Sequence, residues 1–242
     1  MQTTVVIPMA GLGSRFAKAG WKMPKPFISF SGKMMVEHVI ESFREVKDEL
    51  QFVLILRDDF LKAFPKEVSE LAKKGNVSFL SVAKVTQGAA CTVLLAREYF
   101  RSGRLIVADS DTFYDPKVIS DFFEQINQQD VSQSVITFPS TLPCFSYIQI
   151  DGKNVSVAEK QVISNHAISG VYYFRDGETF VESAIEAMIY GDREKGEFYM
   201  STIFGKVAKN RGESVRIFEI QPEKMYCTGT PDQLVEVTNR LK

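Results

Sequence analysis

Short apolar runs alternate with longer amphipathic segments through roughly the first 140 positions. Residues 5–7, 52–56, 77–82, 105–108 and 131–138 are short, rich in Val, Ile, Leu and Phe, and bounded by Gly, Pro, Asp or Lys clusters. Continuous runs of this kind suit strands buried on both faces. Between them, residues 34–43, 60–72, 87–100 and 118–126 space their apolar positions at helical intervals, with Ser31-Gly32 as a break before the first and Pro65 as a kink or restart inside the second. Strand–helix alternation predicts right-handed βαβ units and a parallel sheet. From Phe145 the rhythm changes. Residues 147–150, 155–157 and 170–174 read as short strands with a turn at Asp151-Gly152, antiparallel additions that cover a pocket. Helices over 178–190 and 198–208, a strand over 215–220 and a closing helix over 231–241, with Pro231 in its first turn, complete the pattern. The expected fold is a Rossmann-like three-layer α/β/α domain spanning 1–242, with a mostly parallel central sheet and a small antiparallel addition in its C-terminal half.

Composition changes this picture little. Hydrophobic residues are 45% and charged residues 24% of 242, an ordinary globular balance. Lys+Arg 29 against Asp+Glu 30 leaves no bulk charge for a nucleic-acid or membrane surface, and no apolar run approaches a bilayer span. No basic, cleavable leader opens the sequence, and Cys91, Cys144 and Cys227 are odd in number and far apart, so the expectation is a cytoplasmic protein with reduced thiols. Oligomeric state is left open, with a homo-oligomer among the options.

In α/β sheets ligands bind beyond the carboxyl ends of the strands. Three polar sites fall there: the Ala10-Gly11-Leu12-Gly13 loop, Gln87-Gly88 and Asp109-Ser110-Asp111. Glycines after a strand let backbone N–H groups face an anion. The loop lacks the third glycine of a dinucleotide fingerprint, since Phe16 stands there, and it lacks P-loop spacing. What remains is G-x-G-x-R, ending on Arg15, followed by Pro24-Lys25-Pro26. Asp109 and Asp111 lie two apart and so share a face of an extended segment, which suits a divalent cation; a turn or helix-cap role is the alternative. Gln87 reads equally as a helix-start residue, and Glu159-Lys160 equally as a solvated turn.

The combination G-x-G-x-R with P-K, together with EKQVISNHA and GTP further on, resembles the sugar-phosphate nucleotidyltransferases, and most of all those linked to capsular polysaccharide synthesis. The resemblance runs from Val5 to about Leu234. It implies a nucleotide-binding part over about 1–140 and an acceptor-binding part over about 141–242. The implied reaction joins an NTP to a sugar 1-phosphate or similar acceptor with release of pyrophosphate and Mg²⁺ as cofactor. Ala10, Gly11, Leu12, Gly13, Gln87 and Gly88 would then hold the nucleotide, and Arg15 and Lys25 its phosphates. Asp111, joined by Asp109, would hold the metal. Lys160 would bind the acceptor phosphate, and Glu159 and Gly170 the acceptor itself. The departure is Cys227, where relatives place a second magnesium aspartate; either Asp109 compensates, or Thr228 helps through water, or the site is built differently. Two other readings stand beside this one: a glycosyltransferase using Asp109-Ser110-Asp111 as a D-x-D motif, and a non-catalytic nucleotide-binding subunit.

Overall fold

The computed structural model describes residues 2–128, 131–211 and 214–242. In chain order the strands are β1 (Thr3–Pro8), β2 (Ser29–Phe30), β3 (Lys33–Met34), β4 (Leu50–Arg57), β5 (Val77–Val82), β6 (Arg104–Ala108), β7 (Thr112–Tyr114), β8 (Gln133–Pro139), β9 (Ser146–Asp151), β10 (Asn154–Glu159), β11 (His166–Phe174), β12 (Val215–Glu219) and β13 (Met225–Cys227). The main sheet runs β12–β8–β11–β6–β1–β4–β5, with β9 and β10 continuing from the start of β11. Strands β6, β1, β4 and β5 pair in parallel, as do β8 and β12, while β11 runs antiparallel between the two groups.

The apolar runs explain the layers. Successive residues of a strand point to opposite faces, and here Val5 and Ile7 join one core while Val6 joins the other; Leu54 and Leu56 separate from Val53 and Ile55 in the same way. Helices Met35–Glu41, Pro116–Gln128 and Pro231–Arg240 cover the first face, and Ala89–Leu94, Gly177–Tyr190 and Met200–Arg211 the second. The result is the three-layer arrangement expected.

Local differences have local causes. Pro65 restarts rather than kinks its helix: Asp58–Ala63 ends at Phe64 and Pro65–Ala72 begins with the proline, whose missing N–H costs nothing in a first turn. The segment beginning at Gly88 forms two short helices, Ala89–Leu94 and Arg97–Phe100. The larger correction concerns residues 170–174. They belong to a nine-residue strand, buried almost throughout, that lies inside the main sheet between β6 and β8. Its register shifts between Ile168 and Tyr172, around Gly170 at φ 99°. No described helix is long and apolar enough to cross a membrane.

The closing helix starts on Thr230, whose hydroxyl accepts the N–H of Gln233 at 3.2 Å. Losing such a cap costs about 1 kcal/mol, so Thr230→Ala should lower Tm by about 2–4 °C in a scanning calorimeter for a chain of this size.

Candidate active site

The strand order reverses between β1 and β6. From β1 the chain proceeds outward to β4 and β5, then returns to place β6 on the other side of β1. Crevices at such switch points are where open α/β sheets bind ligands. With Val6 opposite Val107, the ends of the two strands are level, and Pro8 and Asp109 leave the sheet side by side.

The loop after β1 frames the first cavity, of about 380 Å³, lined by Ala10, Gly11, Leu12 and Gly13 from one side and by Thr86, Gly88, Thr92 and Glu197 from the other. Gly13 sits at φ 57°, and a Cβ there would lie 3.3 Å from the Lys25 Cβ, so the loop packs directly on the lysine. Among the described residues, no hydrogen bond takes up the N–H groups of Gly11, Leu12 or Gly13. The far wall is fixed by backbone contact: a Cβ on Gly88 would stand 2.6 Å from the Phe198 nitrogen, while Phe198 donates to the Gln87 carbonyl at 2.9 Å and accepts from Ala90 at 3.1 Å.

The loop after β6 opens the second cavity, of about 490 Å³, lined by Arg15, Asp109, Asp111, Ser169, Cys227 and Gln233 among others. Lys25 forms an ion pair with Asp111. Asp109 donates its N–H to the Gly170 carbonyl at 2.9 Å, and its side chain packs against Gly170, with Cγ 2.7 Å from where a Cβ on that glycine would stand. Burial, then the charge of Asp111, pushes the Asp109 carboxyl up to about 8, with Lys25 opposing and Glu159 adding to the shift. A raised acid binds its proton in the folded state over the range from its unfolded value, about 3.9, to about 8. Stability therefore falls as pH rises through that window. Asp109→Asn should flatten the decline of Tm between pH 5 and pH 8 measured in EDTA.

Strand β13 pairs with β7, Cys227 opposite Thr112, and this brings Cys227 beside Asp111. Burial first, and Asp111 second, push its thiol up, and Sγ donates to Gln233 Oε1 at 3.7 Å. Thr228 is fully buried, and its N–H and hydroxyl both donate to the Asp111 carbonyl at 2.7 Å. That hydroxyl anchors the backbone of Asp111 and is taken up there. Beneath the pair, Phe30, His38, Phe113 and Tyr226 form a continuous stack with neighbouring centroids 4.3–4.9 Å apart, capped by Arg240.

The remaining sequence-derived residues fall differently. Gln87 does not line the first cavity; its side-chain oxygen accepts from Arg193. Glu159 is buried, and both Ser146 and Ser201 donate to its carboxylate. Lys160, next to it, donates to the Tyr199 hydroxyl at 3.1 Å. His166 pairs with Glu219 at 2.7 Å on the surface side of β11. Arg193, Glu197 and Tyr199 carry no signal in the sequence, because nothing in their spacing marks a segment that folds back over Gln87-Gly88, and Thr86 beside Gln87 reads as an ordinary polar residue.

Magnesium binds through one or two carboxylates and completes its shell with water and phosphate oxygens. Asp109 and Asp111 fit that donor set, and the Cys227 thiol does not. No group of three or more His, Cys, Asp or Glu among the described residues forms a protein-only cage.

A glycine loop after one strand, facing carboxylates on the neighbouring strand across a switch point, together with the relatives found, defines a nucleotidyltransferase domain. The chain belongs to the MobA-like NTP transferase domain family, whose model matches residues 5–150. Over 228 residues it is 26% identical to the bifunctional protein GlmU of Methanococcus vannielii, covering 89% of this chain and 49% of that protein. It spans about half the length of the curated relatives it matches. The crystal structure of the nucleoside-diphosphate-sugar pyrophosphorylase from Vibrio cholerae RC9 superposes with a TM-score of 0.81 at 25% identity, covering 97% of this chain and 99% of that one. The inositol-1-phosphate CTP transferase from T. maritima superposes with a TM-score of 0.75 at 17% identity, covering 99% and 96%.

Proposed function

We propose that this chain transfers a nucleoside monophosphate from an NTP to a sugar 1-phosphate or similar phosphorylated acceptor, releasing pyrophosphate. The product would feed capsule or surface polysaccharide synthesis from the cytoplasm, as the resemblance of its EKQVISNHA and GTP segments suggests. The observation that carries the reading is the shared edge of β1 and β6. Loop N–H groups that no described residue takes up line one cavity there, Arg15 and two carboxylates line another, and Lys25 pairs with Asp111.

An acceptor phosphate oxygen attacks the α-phosphorus, the new O–P bond forms as the bond to the β-phosphate bridging oxygen breaks, and pyrophosphate leaves with that electron pair. The attacking oxygen is already ionised, so the protein's task is placement and charge stabilisation. In this reading the first cavity takes the base and ribose, and the N–H groups of Gly11–Gly13 face the phosphates. Lys25 retains two further ammonium donors beyond its bond to Asp111 and turns them to the α-phosphate. Arg15, in the same cavity as Asp111, meets the departing pyrophosphate. Asp109 and Asp111 would hold Mg²⁺, which when bound neutralises charge on the phosphates.

The test is a pyrophosphate-release matrix of CTP, UTP, dTTP, GTP and ATP against phosphorylated sugars and polyols with Mg²⁺. Release dependent on one NTP and one acceptor is the expected outcome. A glycosyltransferase would release no pyrophosphate, and a binding subunit would take up NTP without turnover; either outcome overturns the reading.

A further inference from the structure

Lys160 follows β10 in the left-handed region, at φ 53°, which side-chain-bearing residues adopt only when their surroundings fix them. Its N–H donates to the Phe145 carbonyl at 3.1 Å, and Lys195 Nζ donates to the Lys160 carbonyl at 3.2 Å. Its Nζ donates to the Tyr199 Oη at 3.1 Å, stands 4.9 Å from the centre of that ring, and lies 3.8 Å from the Glu159 carboxylate. Tyr199 is equally constrained. It stands between Phe198, bonded through its backbone to Gln87 and Ala90, and Met200, which opens a helix. The Lys160 side chain is still 38% exposed, so this ammonium is no buried structural cation.

A phenol oxygen offers two lone pairs and one proton, and an ammonium offers donors alone. The bond from Lys160 therefore takes a lone pair of Tyr199 and leaves the O–H free to donate elsewhere. The outcome is two donors about one hydrogen bond apart, of a spacing that suits two oxygens of one phosphate. The geometry points to Tyr199 as a second ligand of the acceptor's phosphate, its O–H taking one oxygen while the Lys160 ammonium takes another. This rests on the reading that the acceptor is phosphorylated and meets Lys160. The hydrogen bond to Tyr199 also raises the Lys160 pKa, so the ammonium stays charged at neutral pH.

Tyr199→Phe keeps the ring beneath Nζ and removes only the O–H. With the NTP and acceptor that release pyrophosphate, it should raise the acceptor KM on the order of 10–100-fold, the effect of losing a bond to a charged group. The KM for NTP and the Tm should stay at wild-type values, which a merely structural role would not ensure. An unchanged acceptor KM in Tyr199→Phe, with Lys160→Ala impaired, overturns the Tyr199 subsite and leaves the proposed function standing. Unchanged values in both variants overturn the subsite and the role of Lys160 together. Binding of inorganic phosphate, titrated calorimetrically in an Arg15→Ala background, reads the same contact without turnover: weaker binding in Tyr199→Phe supports the subsite, and equal binding overturns it.

Discussion

Asp111→Asn should lower pyrophosphate release on the order of 10²–10³-fold, the typical effect of losing one preorganised charged contact, while leaving the fold intact. Asp111 is where the site's elements meet. Its carbonyl is held twice by Thr228, its carboxylate pairs with Lys25, and it faces the cavity that also holds Arg15 and Asp109. Asparagine matches its shape and keeps both Thr228 bonds, so the backbone has no reason to move. It removes the charge that helps push the Asp109 carboxyl up to about 8 and that partners Lys25. Tm should therefore stay level or rise while kcat collapses. Turnover near wild type would exclude Asp111 from the chemistry.

Gly170→Ala should damage both stability and turnover. At φ 99° the residue occupies a conformation that costs a side-chain-bearing residue about 1–3 kcal/mol. The added methyl would also meet the Asp109 side chain, whose Cγ and Cβ lie 2.7 and 3.0 Å from that point. At about 2–4 °C per kcal/mol for a chain of this length, the strain alone lowers Tm by several degrees, and the displaced Asp109 adds a loss of turnover. A double-mutant cycle separates the two effects. Asp109→Ala in the Gly170→Ala background should recover the part of the stability due to the clash and none of the part due to φ. Strict additivity of the two substitutions would show that the methyl and the carboxylate do not meet.

The first half of the chain was legible in the sequence because local signals and global fold agree there. The runs at 5–7, 52–56 and 105–108 are strands buried on both faces, the run at 77–82 is the half-buried edge strand β5, and Gly11, Gly13 and Asp109–Asp111 follow strands as binding at a switch point requires. The second half was less legible for physical reasons. His166–Phe174 is continuously apolar only after Gly170, so its first half passes for a loop, and nothing local reveals that the strand is inserted antiparallel beside β6. β7 and β13 are three residues each, too short for any period to register, yet their pairing sets Cys227 against Asp111. The folded-back loop that brings Arg193 to Gln87 and Tyr199 to Lys160 is a matter of long-range contact, which spacing cannot express. Glu159 illustrates the limit: its charge suggests a turn, and Ser146, its cross-strand partner, together with Ser201 from a distant helix makes it a buried acceptor.

The chemistry can be read in one ³¹P NMR time course with Mg²⁺, an NTP and a phosphorylated acceptor. The account predicts that the β- and γ-resonances of the NTP give way to pyrophosphate as the α-phosphorus and the acceptor phosphorus appear together, in equal amount, as one diphosphate diester. An NTP spectrum that stays unchanged across every base and acceptor, or one that yields inorganic phosphate without a diester, would contradict it.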